Sequence, residues 1–171
     1  LARFAPRADA LVTVDAFLHR KLITAEQFEK SLVRWRGRRG VRQAYEIAGM
    51  ADGRSESGGE TRLRLRVLDM GLPRPELQIP VYDLFGKIRF YLDLGWPHWR
   101  LALEYDGEEF HGEEQAEHDK GRRSWITKRD WTVRAYRKAD IFTTSRHFEA
   151  EVQGLVSDAR HAASGRCALG T

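Results

Sequence analysis

At 171 residues the chain is long enough for one full domain, or for a compact domain with a helical extension. Hydrophobic residues at 42% and aromatics at 11% supply a core and exclude general disorder, while a lone cysteine, Cys167, excludes a disulfide framework or a multi-cysteine zinc site. The 29 Lys and Arg against 25 acidic residues leave a net charge of +4, too small to identify a nucleic-acid partner by itself.

Residues 1–50 read as helical. A first helix is expected near 8–21. Thr24-Ala25-Glu26-Gln27 then forms a capping-box pattern, followed by Phe28, Leu32 and Trp35 at helical spacing. A third helix is expected near 38–49, ended by Gly49, and Asp52-Gly53-Arg54-Ser55 reads as a linker. Residues 57–70 predict a helix stopped by Gly71, Pro73 and Pro75. Leu77 to Tyr82 alternates as a strand, Asp83-Leu84-Phe85-Gly86 makes a turn, and Ile88–Leu94 and Arg100–Asp106 are strands around Trp-Pro-His-Trp. Residues 113–129 predict a helix, 132–136 a strand and 144–160 a last helix, with 161–171 a frayed tail. This order predicts a mixed α/β domain behind an N-terminal helical extension. The chain begins with leucine and is expected to be part of something longer. No apolar run approaches membrane-spanning length and no signal-peptide pattern is seen, so the expectation is a cytoplasmic protein with no membrane partner.

Charge is unevenly distributed. Arg34, Arg36, Arg38, Arg39 and Arg42 crowd one stretch, and Arg62, Arg64 and Arg66 another. From Glu104 to Asp119 there are eight acidic residues and no Lys or Arg, which suggests a cation site within a polyanion-binding surface. Glu113, Glu114 and Glu117 are accounted for by a helix N-terminus, whose dipole favours them. Glu104 and Asp106 are not. In a strand alternate side chains share a face, so Glu104 and Asp106 oppose Leu101, Leu103 and Tyr105. In the preceding strand Tyr91 and Asp93 share one face, with Phe90, Leu92 and Leu94 on the other. A turn centred on His98 and Trp99 sets Asp93 opposite Glu104, at a Cβ separation of roughly 4.5–5.5 Å. Two carboxylates so close call for a cation or a proton, and hard oxygen donors without cysteine favour Mg²⁺ or Mn²⁺. The competing reading is an exposed strand edge whose acids are solvated or pair with arginines.

The run Asp93-Leu94, Trp96-Pro97, Glu104-Tyr105-Asp106-Gly107 and His111 resembles the very-short-patch-repair (Vsr-like) endonuclease branch of the PD-(D/E)xK restriction-endonuclease-like superfamily. The likeness begins at Ser55-Glu56-Ser57-Gly58-Gly59-Glu60. It passes through Gly71-Leu72-Pro73, Gln78 and the hairpin, and reaches Asp119, Arg122 or Arg123, and Trp131-Thr132-Val133-Arg134. It resembles actinobacterial members of that branch and covers roughly residues 55–140, about half the chain. The resemblance implies a restriction-endonuclease-like core, with a four-stranded mixed sheet flanked by helices, within residues 53–160. Residues 1–52 would then be a helical extension or connector. It implies Asp93 and Glu104 as metal ligands, Glu60 as an acid from the first helix of the domain, and His111 as the proton-handling group. It further implies a Mg²⁺-dependent DNA endonuclease, acting in repair or defence. Asp106 stands where the superfamily motif usually has lysine, which leaves that lysine's role without a direct counterpart. Proteins resembling this one often carry an upstream winged-helix segment, so a catalytically inactive DNA-binding or antitoxin-like regulatory module is the rival expectation.

Several of these residues have ordinary alternatives. Ser57-Gly58-Gly59-Glu60 is itself a capping box, and His111 opens a predicted helix, where histidines are commonly solvated. Asp119 with Arg122 or Arg123 has the spacing of a surface ion pair. Arg62, Arg66, Arg122, Arg123, Arg134, Arg38 and Arg39 are the candidates for DNA phosphate contacts, which would position a duplex without reading bases. Trp96 and Trp99 are read as packing residues in preference to wedges between bases.

Overall fold

In the computed structural model of the protein, residues 2–107, 125, 126, 129–142 and 146–168 are described. The predicted helix over 113–129 lies almost wholly outside them. The chain divides into two compact units, Leu1–Leu65 and Arg66–Thr171. The protein is α/β, with a four-stranded mixed sheet and flanking helices, and with further helices in its N-terminal part.

The first unit contains α1 (Arg7–His19), α2 (Ala25–Val33), α3 (Val41–Met50) and most of α4 (Gly58–Asp69). The predicted capping box starts α2: Thr24 Oγ1 accepts the Gln27 amide at 3.1 Å, and the Gln27 side chain accepts the Thr24 amide at 2.9 Å. Gly49 does not end α3, which runs to Met50. Ala10, Leu11 and Val14 of α1, Ile47 of α3 and Leu65 of α4 form the core. Within it lies a charge. Asp15 and Arg64 are each 1% exposed and ion-paired. Asp15 also accepts hydrogen bonds from the Thr61 hydroxyl and the Asp52 amide, both at 2.8 Å, while Arg64 donates to the Met50 carbonyl. Burial lifts the Asp15 carboxyl above its usual range against the pull of Arg64. Removing either partner would leave a buried charge uncompensated.

The second unit is built on β1 (Glu76–Tyr82), β2 (Ile88–Trp96), β3 (Leu101–Asp106) and β4 (Thr132–Arg137), in that spatial order. The first two pairings are antiparallel and β3–β4 is parallel. A short 3-10 turn, Pro97–Trp99, joins β2 to β3. Two helices follow β4: α5 (Lys138–Phe142) and α6 (His147–Ala168). The last continues beyond residue 160, where the sequence suggests fraying, because Ala162, Ala163 and Ser164 do not interrupt a helix that began upstream. Trp96 is 2% exposed and its indole donates to the Pro73 carbonyl at 2.9 Å. Trp99 lies beside it, with the Arg160 guanidinium over its ring. Both tryptophans therefore pack. Tyr136 of β4 stacks edge-on against Phe148 of α6.

The β2–β3 register runs Leu94↔Leu103, Gly95↔Ala102 and Trp96↔Leu101, the register expected from a turn centred on His98 and Trp99. Gly95 fixes how closely these strands approach. A Cβ there would run into the Leu101 carbonyl oxygen and the backbone of Ala102.

The alternation expected along β2 is broken at one point. Leu103 and Ala102 are neighbours on a strand and face opposite sides, and Leu94 pairs with Leu103. Leu92 packs in the cluster that contains Ala102, Ile79, Val81 and Ile126, with Val133 and Trp131 against it. Leu94 and Leu92 thus serve opposite faces of the sheet, although two residues apart they should share one. On β1 the same exchange separates Leu77, partner of Leu94, from Ile79, partner of Leu92. The residues in between are Asp93 and Gln78. Gln78 has φ +51°, a left-handed conformation in mid-strand, whereas the other positive-φ non-glycine residues among the described ones, Lys21, Arg100 and Asp130, lie in turns. The pair β1–β2 turns over at this step, which lets both of its faces be buried. The expectation that Phe90, Leu92 and Leu94 share a face is corrected for Leu92 and Leu94, because it assumed a regular strand through Asp93.

Candidate functional site

Asp93 sits where the sheet is irregular on both sides. Towards β1 it lies across from Gln78, since Leu77↔Leu94 and Ile79↔Leu92 bracket the two. Towards β3 the ladder ends at Leu94↔Leu103, so the next position of the same register is Asp93 opposite Glu104. No backbone pair forms there. Instead Asp93 Oδ2 accepts the Tyr105 amide at 2.8 Å, bridging the opening strands with a side chain. Asp93 and Glu104 are both half-buried, flanked by the fully buried Leu92, Leu94 and Leu103.

Asp106 ends β3. The parallel register sets it beside Arg137 of β4, and their side chains meet at 3.4 Å. The Arg137 amide in turn donates to Asp140 at 2.8 Å. Asp106 therefore stands at the end of the row that holds Glu104, next to a fixed cation. Arg137 has no sequence signal beyond following a strand, because a parallel partner 31 residues away cannot be placed by local pattern.

Glu60 belongs to the first unit and is 9% exposed. It completes the expected cap with one change: its amide donates to Ser57 Oγ at 3.1 Å, while its carboxylate accepts the amide of Glu56, one residue before the cap, at 2.9 Å. His111, Arg122 and Arg123 lie outside the described residues. Among the described residues no group of three or more His, Cys, Asp or Glu side chains converges as a cation site. Asp93 and Glu104 are the two acids that the β2–β3 register, extended one step past its last pair, sets opposite each other. This fits Mg²⁺, which is commonly held by one or two carboxylates and keeps several waters.

The arginine candidates divide sharply. Arg62 pairs with Asp9. Arg66 pairs with Glu149, donates to the Asp140 carbonyl at 2.8 Å and lies over the Phe148 ring. Burial pushes the Glu149 carboxyl up, but the hydrogen bond and charge of Arg66, a backbone hydrogen bond and the charge of Arg146 together hold the group below its usual value. Arg134 pairs with Glu151 at 2.7 Å, with its side chain still half exposed. Arg38 and Arg39 are exposed, and among the described residues their guanidinium groups make no ion pair; the Arg39 carbonyl accepts from Arg3. Arg36 and Arg42 are likewise exposed on the same stretch.

Two proteins of Mycobacterium tuberculosis are similar to this chain: Uncharacterized protein MT2308, of strain CDC 1551, and Uncharacterized protein Rv2248, of strain H37Rv. Each is 39% identical over 134 residues, which is 78% of this chain and 49% of the relative. The chain thus spans about half the length of the curated relatives it matches. No family model and no solved structure matches it. Among the described residues no helix is long and apolar enough to cross a membrane.

Proposed function

We propose that this chain carries a metal-dependent DNA endonuclease centre of the Vsr-like, restriction-endonuclease-like kind, acting in the cytoplasm. The observation that carries the reading is the placement of Asp93. Extended one step past Leu94↔Leu103, the register would put Asp93 opposite Glu104, and the Asp93 carboxylate accepts the Tyr105 amide, which supports reading the two half-buried acids as a pair. Like charges held that close are stabilised by a divalent cation. Asp93 and Glu104 would hold Mg²⁺ or Mn²⁺, with Glu60 as the further acid that the resemblance implies. Such an ion, when bound, polarises a phosphodiester and lowers the pKa of an attacking water.

The chain's own residues do the rest. The Tyr105 amide fixes the rotamer of Asp93, so the carboxylate is oriented before any ion arrives. Leu92, Leu94 and Leu103 flank the two acids and keep the pair in a weakly screened environment. Arg137 neutralises Asp106, which limits acid–acid repulsion in the row where the family motif has lysine. His111 is the candidate for moving the proton. Arg38 and Arg39 contact the phosphate backbone of the duplex, with Arg134, Arg62, Arg66, Arg122 and Arg123 as further candidates.

Purified protein incubated with supercoiled plasmid should nick it in the presence of Mg²⁺ or Mn²⁺, and Asp93→Ala should abolish the nicking. A wild-type protein that cuts no DNA with either ion sinks the enzyme reading. One observation favours a second reading, a DNA-binding regulatory module that retains the fold. The exposed stretch Arg36 to Arg42 is available to polyanions, while Asp106 occupies the lysine position and is tied to Arg137. Salt-sensitive DNA binding that is unchanged by EDTA and by Asp93→Ala would select it.

A further inference from the structure

We infer that the turn Gly37-Arg38-Arg39-Gly40 is a preformed grip for nucleic-acid phosphates and that Arg3 is the positioning residue that shapes it; the inference rests on the reading of Arg38 and Arg39 as DNA contacts. From Lys30 to Tyr45 the chain carries six Lys and Arg and no acid. Arg34, Arg36, Arg38, Arg39 and Arg42 are all exposed, so the stretch is complementary in charge to a polyanion. Its tip is a sharp turn. Gly37 and Gly40 take left-handed conformations, φ +73° and +77°, on either side of the arginine pair. Glycine loses more conformational freedom on folding than any other residue, so a turn hinged on two of them would be loose if left alone.

The turn is braced by the start of the chain. The Arg3 guanidinium donates from Nε and Nη2 to the Arg39 carbonyl oxygen, at 3.0 and 2.6 Å. It also lies over the Trp35 ring, 4.5 Å from the centroid, and so joins Arg39 to the segment that enters the turn. Behind Gly40 the fit is closed: a Cβ there would stand 2.2 Å from the Arg3 carbonyl oxygen. Gln43 adds two more ties, its side-chain amide donating to the Ala2 and Ala5 carbonyls at 3.0 and 2.9 Å. A planar, always-charged fork stacked on an aromatic ring suits this brace, and a flexible ammonium would not replace it. The division of labour follows from exposure. Arg3 is half-buried with its donors turned onto the protein, whereas Arg38 and Arg39 are exposed on the turn it holds. Fixing the Arg39 backbone sets where both guanidinium stems leave the surface, so part of the ordering cost of gripping phosphate is met during folding.

The test is binding of a short fluorescein-labelled DNA duplex, read by fluorescence anisotropy in EDTA, so that its outcome depends on neither the Asp93–Glu104 centre nor cleavage. Melting temperatures keep every measurement on folded protein. Arg3→Gln should weaken affinity about fivefold, the cost of ordering a side chain or two on binding. A merely structural role would lower the melting temperature and leave the affinity of the folded protein unchanged. In the Arg38→Gln/Arg39→Gln background, Arg3→Gln should change affinity by less than about twofold, because the groups it positions are gone. Arg3→Lys keeps the charge but not the fork and should weaken binding as Arg3→Gln does; it stands in if the glutamine variant fails to fold. Binding by Arg3→Gln or Arg3→Lys within about twofold of wild type overturns the role of Arg3. So does a loss that persists in the double-variant background, the mark of a direct phosphate contact. If Arg38→Gln/Arg39→Gln binds as wild type does, or wild type binds no duplex, the DNA reading of the turn falls and the inference with it.

Discussion

The chain carries two arginine-rich stretches, and they do opposite things. Arg62, Arg64 and Arg66 sit on one helix, and each guanidinium is committed: to Asp9, to buried Asp15 and to Glu149. Arg36, Arg38, Arg39 and Arg42 are exposed, and among the described residues their side chains pair with no acid. By composition the two stretches look alike, and either could be taken for a phosphate-binding patch. The lesson is that arginine density does not identify a binding surface. The availability of the guanidinium does, and it depends on partners far away in the chain.

The sharpest way to break this comparison is at the buried pair. Arg64→Ala, or Asp15→Ala, should destabilise the protein by about 3–5 kcal/mol, because each leaves an uncompensated buried charge. The double variant Asp15→Leu/Arg64→Met should recover most of that loss, since apolar replacement of a buried pair is commonly neutral. Urea unfolding of all three proteins decides the matter; a double variant no better than the singles would mean that packing, not charge, is at stake.

A smaller effect is expected at Arg66. Replacing it with alanine should cost about 2 kcal/mol through its charged hydrogen bonds. The loss should also depend on pH. The folded Glu149 carboxyl lies below its ordinary value, so its contribution is present above that value and fades as pH falls through the folded one. Thermal melts of wild type and Arg66→Ala should therefore converge in acid; a gap that widens in acid would contradict the assignment.

The smallest stability effect belongs to the exposed stretch. Arg38→Gln/Arg39→Gln should alter stability by no more than about 0.5 kcal/mol. DNA affinity should nevertheless weaken, and the slope of log affinity against log salt should fall by about 0.9 for each phosphate that the variant no longer neutralises. An unchanged salt slope would remove these residues from the DNA surface and erase the contrast.

What was legible in the sequence follows the range of the interactions. The cap at Thr24 and Gln27 is a local pattern and appears as expected. The β2–β3 register was legible because a short turn fixes it, and its pairs Leu94↔Leu103, Gly95↔Ala102 and Trp96↔Leu101 fall as expected, the ladder stopping one step before Asp93 and Glu104. The turn-over at Gln78 was not, since glutamine carries none of the glycine or asparagine signal that announces a left-handed residue. Asp15–Arg64, 49 residues apart, and Arg66–Glu149, 83 apart, are set by tertiary packing that no periodicity encodes. His111, Arg122 and Arg123 fall outside the described residues, so their part in the site still rests on sequence alone.

Gly95 has a consequence for how the hairpin reaches its native alignment. A slip of one residue between β2 and β3 would bring Leu94 or Trp96 to the tight contact now filled by glycine. Either side chain would collide with the strand across from it. The same slip would separate Asp93 from Glu104. The glycine therefore works as a proofreading notch: it admits the alignment with Gly95 across from Ala102 and turns a misaligned hairpin away by sterics.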